Sequence, residues 1–124
     1  TLFRSGRWIT ESGNLEVEIA PCGDALCGTV VRVIANRSMA GPGTAMDPVD
    51  KRPALGMQIL HGLRPADGDT LDGSIYNREN GKTYGARLSA DGPQQMFVKA
   101  YVGVPLFGKT QLWRRAAAAG EVNP

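Results

Sequence analysis

Two cysteines are the first residues in this sequence whose spacing points to a chemistry. Cys22 and Cys27 are separated by four residues, which begin with the turn-forming pair Gly23-Asp24. Two cysteines without a nearby histidine cannot complete a structural zinc site, and a redox pair normally has two intervening residues at the start of a helix. Between antiparallel strands the spacing brings the cysteines within disulfide range, so it favours a disulfide over free thiols. A disulfide would imply an oxidising compartment such as a bacterial periplasm.

A second segment, residues 103–110, matches the phosphate-loop pattern letter for letter. That chemistry requires converging backbone N–H groups, a helix that begins at Lys109 and a downstream acid for Mg²⁺. Pro105 has no N–H group, and Glu121 is the only acidic residue that follows the motif. The segment therefore predicts a turn that connects two strands, and we expect no nucleotide and no cofactor.

The single histidine, His61, limits the remaining catalytic possibilities. It argues against multi-histidine metal sites and against Ser-His-Asp chemistry with any other base. We interpret His61 as structural or exposed rather than as a ligand contact, and the aspartates of 47–72 as solvated loop carboxylates. No group of acid, base and nucleophile emerges, so we predict no metal site and no enzyme.

The composition indicates one ordinary globular domain that spans residues 1–124. Of the 124 residues, 42% are hydrophobic and 21% are charged, and the formal net charge is +2. No long run of one charge sign favours nucleic acid, and no apolar run approaches the roughly 20 residues of a membrane helix. We expect a core over about 6–115 and a flexible tail over 116–124.

Short apolar runs that alternate with turn signals predict about eight strands. The strands are expected at 6–10, 15–19, 29–34, 57–61, 71–76, 82–88, 96–102 and 109–115. Apart from 35–53, the connections are too short for parallel crossovers, so the sheet should be antiparallel, and eight such strands can close into an up-and-down barrel. The segment 35–53, rich in glycine and proline, predicts a mobile loop at the barrel mouth, where it could act as a lid.

Aromatic and apolar side chains on the predicted strands are candidates for the wall of a cavity. The candidate lining residues are Met57, Ile59, Tyr76, Tyr84, Phe97 and Tyr101. The alternative is that these side chains fill a solid barrel core.

Gly6-Arg7-Trp8 resembles the G-x-W opening of lipocalin-like barrels. More specifically, the chain resembles an uncharacterised family of exported bacterial proteins, domain-of-unknown-function family 2147, which is grouped with the calycins. The segments that carry the resemblance are 6–8, 17–23, 26–28, 56–63, 73–76, 81–84, 101–103 and 108–113. It covers about 6–115, with Ala100 where glycine is expected. The resemblance implies an export signal removed upstream and a lipocalin-like barrel, and it brings no established activity.

The resemblance also implies how the barrel closes. In lipocalin-like proteins the tryptophan of the opening packs against an arginine of the last strand, and here the candidates are Arg114 and Arg115. Alternation places Trp113 and Arg115 on one face, and the Trp-x-Arg spacing favours Arg115 as the partner of Trp8. The alternative is that both arginines are solvated beyond the last strand.

Together these features predict a periplasmic or secreted barrel that binds a small apolar or amphipathic molecule without catalysis. We expect it to be a monomer or a weak homodimer. The alternative is a structural or interaction protein of the cell envelope whose barrel core is filled.

Overall fold

The computed structural model describes residues 5–36, 48–66, 68–103 and 108–116. Within these residues the chain forms eight strands and no helix, which confirms the all-β prediction. The strands are β1 Gly6–Ile9, β2 Leu15–Cys22, β3 Ala25–Val33, β4 Gln58–Pro65, β5 Thr70–Asn77, β6 Lys82–Ala90, β7 Gln95–Tyr101 and β8 Lys109–Arg115.

Each strand pairs antiparallel with the next, and β8 pairs with β1, so the sheet closes into an up-and-down barrel. Closure leaves no unpaired sheet edge. Because successive connections lie at opposite ends, the β2–β3, β4–β5 and β6–β7 turns share one end, here called the disulfide end. The β1–β2, β3–β4, β5–β6 and β7–β8 connections share the other, here called the open end.

The apolar core fills the half of the barrel near the disulfide end. β5 and β7 begin at that end with buried Leu71 and Met96, and β6 finishes there with buried Leu88. The remaining members of the core are Trp8, Val17, Ile19, Val30, Ile59, Leu60, Leu63, Ala86, Val98 and Trp113. In β7, exposed and buried positions alternate from Gln95 to Val98, which explains why single apolar residues suffice to build this part of the layer.

β4 is irregular in two places. Thr29 pairs with Gln58 and Gly28 pairs with Leu60, so Ile59 is an extra residue between two paired positions. Ile59 and Leu60 are both buried as a result, which strict alternation would not allow. A second shift in pairing follows between His61 and Arg64.

The first and last strands are joined by Arg115. Trp8 pairs with Arg115 across the β1–β8 ladder, and the guanidinium carbon lies 4.3 Å from the centre of the Trp8 ring. The same guanidinium donates to the carbonyl of Ser5 at 2.9 Å and to the carbonyl of Pro93 at 3.1 Å. A β-carbon at Gly6 would lie 2.8 Å from the Arg115 Nη1 atom. Glycine in the opening motif therefore leaves room for the arginine.

The predicted Cys22–Cys27 disulfide is confirmed, with 5.9 Å between the Cα atoms. The strands run further than the sequence suggested, because Cys22 pairs with Ala25 and only Gly23 and Asp24 remain in the turn. Gly23 has a φ of +67°, a conformation that favours glycine in such a short turn. The bridge crosses the hairpin diagonally at the disulfide end.

Replacing both cysteines by serine should lower the free energy of unfolding by about 2 kcal/mol, because the bridge closes only a short loop in the unfolded chain. Urea unfolding of the Cys22→Ser/Cys27→Ser variant measures the loss. The oxidised wild type and the wild type after thiol reduction provide the comparison. Identical midpoints for all three would contradict the prediction.

Candidate functional site

A cavity of about 670 Å³ opens at the open end of the barrel. The buried side chains of Ile59 and Trp113 lie toward its floor, where the packed half of the barrel begins. Leu15, Val33 and Ile75 contribute further apolar wall. The other residues around it are Thr10, Ser12, Asn14, Ala35, Asn36, Ala54, Tyr76, Asn77, Arg78, Glu79, Asn80, Tyr84, Ala100, Tyr101, Val102, Lys109 and Gln111.

Three polar side chains in this wall have their oxygen atoms engaged by neighbouring groups. The indole of Trp113 donates to Oε1 of Gln111 at 2.9 Å, and the backbone N–H of Glu79 donates to Oδ1 of Asn77 at 2.9 Å. Asn80 donates through Nδ2 to the hydroxyl oxygen of Tyr84, also at 2.9 Å. Since an indole and a backbone N–H can only donate, these contacts fix the orientation of both amides.

The charged groups around the cavity lie at its mouth. Among the described lining residues these are Arg78, Glu79 and Lys109. Arg78 and Glu79 are adjacent at the end of the β5–β6 hairpin and carry opposite charges, so Lys109 gives the described part of the mouth a net positive charge.

The structure separates the six predicted lining residues into three groups: residues of the cavity wall, residues at its rim and residues outside it. Ile59 and Tyr84 line the cavity, and Tyr84 pairs with Ile75 on the inner face. Tyr76 and Tyr101 border the rim, but strand alternation places their rings on the outer face. The Tyr76 hydroxyl donates to Asp50 at 2.7 Å, and a β-carbon at Gly85 would lie 2.5 Å from the Tyr101 ring.

Phe97 and Met57 are not in the cavity wall. Phe97 lies between the buried residues Met96 and Val98, so its side chain points outward and is 39% exposed. The sequence already indicated this orientation. Lys99 is two residues from Phe97, so both side chains lie on the same face of β7, and a lysine marks that face as solvent-exposed.

The sequence analysis missed two residues of the cavity wall, Gln111 and Asn77. Gln111 is two residues from Trp113 and Asn77 is two residues from Ile75, so strand alternation places both on the inner face.

Met57 instead lines a shallow groove of about 540 Å³ on the outer wall of β4, β5 and β6. His61 also lines this groove, and its Nδ1 atom lies 2.6 Å from Oε1 of Gln58. Arg52 and Tyr76 line the same groove, and both bind the carboxylate of Asp50 in one network. The Arg52 guanidinium, followed by the Tyr76 hydroxyl, holds the pKa of Asp50 well below its ordinary value, and the same carboxylate raises the pKa of Tyr76.

This network attaches segment 48–53 to the outer wall. The backbone N–H groups of Val49 and Asp50 donate to the carbonyls of Glu79 and Arg78 at 3.0 and 3.1 Å. We expect Tyr76→Phe to speed amide hydrogen exchange at these two positions about tenfold, because a hydrogen bond to a charged group is lost. Tyr101→Phe, which removes a hydroxyl elsewhere on the outer face, serves as the control. Equal exchange in both variants would show that Tyr76 does not hold the segment.

Three predicted features fall wholly or partly outside the described residues. Residues 37–47 of the predicted mobile loop are among these, although Ala35 and Asn36 place its start at the cavity mouth. Residues 104–107 of the phosphate-loop match and residues 117–124 of the predicted tail are the others. Lys109 begins a strand rather than a helix, which does not fit phosphate-loop geometry.

The closed eight-stranded antiparallel barrel defines a lipocalin-like fold. In a comparison with solved structures, the chain is similar to a Helicobacter pylori protein, HP1028, described as belonging to the lipocalin family. The TM-score is 0.66 at 17% sequence identity, over 91% of this chain and 82% of that one. The chain belongs to the family DUF2147, described as an uncharacterized protein conserved in bacteria, whose model matches residues 6–115. A search of curated proteins gave no match.

The described part of the chain lacks two kinds of feature. It contains no group of three or more His, Cys, Asp or Glu side chains placed to hold a metal ion. It also contains no helix long and apolar enough to cross a membrane.

Proposed function

We propose that this protein is a non-catalytic binding barrel that holds a small amphipathic molecule in the cavity at its open end. The cavity itself carries the proposal. Its volume of about 670 Å³ falls in the range of small-molecule sites, and its apolar wall contains a few oriented polar groups. The packed half of the barrel beneath it supplies a rigid floor.

The alternative, an envelope protein with a filled core, accounts for the packed half near the disulfide end. It leaves the open-end cavity without a role. The disulfide supports an exported protein in either case, because such bridges persist in oxidising compartments such as the periplasm. We place the protein outside the cytoplasm, as a monomer or weak homodimer.

A cavity-filling variant tests the binding function. Ala100 lines the cavity and pairs with Lys109 near the mouth, so Ala100→Trp should fill much of the space above the floor. We expect the neutral fluorescent probe N-phenyl-1-naphthylamine to bind the wild type and to bind Ala100→Trp at least about tenfold more weakly.

Phe97→Trp is the matched control, because it adds the same indole to the outer face of the same strand. It should bind the probe like the wild type, and far-ultraviolet circular dichroism of both variants reports whether the barrel is intact. Ala100→Leu provides a smaller filling change if the tryptophan prevents folding. Absence of saturable probe binding by the wild type, or equal binding by all variants, would overturn the proposal.

A further inference from the structure

We propose that the ligand of this cavity is an amphipathic anion, with its carboxylate or similar acceptor group at the mouth and its apolar part on the floor. This inference rests on the proposed function and adds the chemical class of the ligand. It is carried by Gln111, Asn77 and Tyr84, three polar groups of the wall whose oxygen atoms are already engaged and whose remaining hydrogen-bonding groups are donors.

The donors result from hydrogen bonds within the wall itself. The carbonyl oxygens of Gln111 and Asn77 already accept from Trp113 and from the backbone of Glu79. Each amide therefore turns its NH₂ group, with two donors, away from that contact. The hydroxyl oxygen of Tyr84 accepts from Asn80 in the same way, which leaves its hydrogen to donate.

The inner face of β8 sets the orientation of such a ligand. Every second residue of β8 points inward, and these residues are Lys109, Gln111 and Trp113. Their side chains therefore follow one another from the mouth to the floor at roughly 7 Å intervals. The wall thus changes from an ammonium group through an amide to a buried indole. An amphipathic molecule matches this order only with its polar end outward.

The sign of the charge follows from the mouth. Lys109 is a charged donor there, and Glu79 has the cationic Arg78 next to it in the chain. A cationic head group would face Lys109, and a polyhydroxyl head group would give the Lys109 ammonium and the wall donors no charged acceptor. A carboxylate accepts only and can engage several of these donors at once.

The test compares three ligands with one alkyl chain and different head groups. Decanoate, decanol and decyltrimethylammonium, each below its micelle concentration, compete with bound N-phenyl-1-naphthylamine. We expect decanoate to displace the probe at about tenfold lower concentration than decanol, and the ammonium compound to be weakest. Added salt should weaken decanoate and leave decanol unchanged.

Variants then test whether residues at the cavity mouth cause the preference for decanoate over decanol. Lys109→Met should reduce decanoate affinity about tenfold to the level of decanol, and Tyr84→Phe should reduce it less. Lys99→Met, which removes a lysine from the outer face of β7, is the matched control and should change nothing.

The outcomes separate this inference from the function beneath it. If decanoate and decanol bind equally, or if Lys109→Met leaves the preference unchanged, the anionic ligand is wrong while the binding barrel stands. If neither the probe nor any of the three ligands binds, both proposals are overturned.

Discussion

Replacing Trp8 by alanine is expected to lower the free energy of unfolding by about 3–5 kcal/mol, the usual cost of removing a large buried aromatic side chain. Trp8 is 1% exposed and belongs to the core that fills the disulfide end. The Arg115 guanidinium lies over the Trp8 ring, so the substitution removes a cation–π contact as well as packing. Urea unfolding of the purified variant measures the loss.

A double-mutant cycle isolates the second contribution. Arg115→Ala alone should cost about 2 kcal/mol, because the half-buried guanidinium lies over an indole and satisfies the carbonyls of Ser5 and Pro93. The double variant should lose less than the sum of the single losses, since each substitution already removes the ring contact.

Arg114→Ala is the matched control for that cycle. Arg114 lies next to Arg115 on β8 and pairs with Ile9 of β1, but its side chain is exposed. Its loss should be small and additive with Trp8→Ala. Strict additivity for Arg115 as well would show that the guanidinium does not couple the first and last strands.

The strands could be predicted because each one is short, alternates in polarity and is bounded by turn signals. Asn80-Gly81, for example, lies in the turn between β5 and β6 that the sequence predicted. The errors lie mainly at strand ends: β2 and β3 continue through the cysteines, and β4 continues to Pro65. Turn residues mark where a reversal occurs but not how far pairing extends before it.

The cavity could be predicted only in part, because the choice of lining residues depends on the face of each strand. Side-chain type suggested Phe97, whereas the alternation of Met96, Phe97 and Val98 decides its position. The donor pattern of Gln111 and Asn77 could not be foreseen, since it depends on hydrogen bonds to atoms fixed only by the folded barrel.

Least visible in the sequence is the irregular pairing of β4, because a run of apolar residues does not show where an extra residue enters the ladder. The shift between His61 and Arg64 includes Gly62, whose φ is +59°. It brings the β4 backbone close to Gly73 on β5, a residue that looks like a weak point in its strand when read from the sequence alone. In the folded barrel, glycine is required at that position.

Gly73→Ala is therefore expected to lower the free energy of unfolding by about 3 kcal/mol, at the upper end of the cost of overpacking. A β-carbon at Gly73 would overlap the carbonyl oxygen of His61, and it would lie 3.0 Å from the carbonyl carbon of Gly62 and 2.9 Å from Cδ2 of Leu63. Two of these atoms are backbone, and Leu63 is 1% exposed, so relief requires the β4–β5 ladder to move.

Gly85→Ala is the control that separates a backbone obstacle from a side-chain obstacle. Its β-carbon would meet an obstacle at a similar distance, 2.5 Å from the Tyr101 ring, but that ring lies on the outer face and can rotate away. Both glycines lie in strands without a positive φ, so both variants gain the same small benefit from a less flexible unfolded chain. Urea unfolding should show a loss for Gly73→Ala that exceeds that of Gly85→Ala by about 2 kcal/mol. Equal losses would mean that the β4 irregularity yields to an added methyl group and does not dictate glycine at position 73.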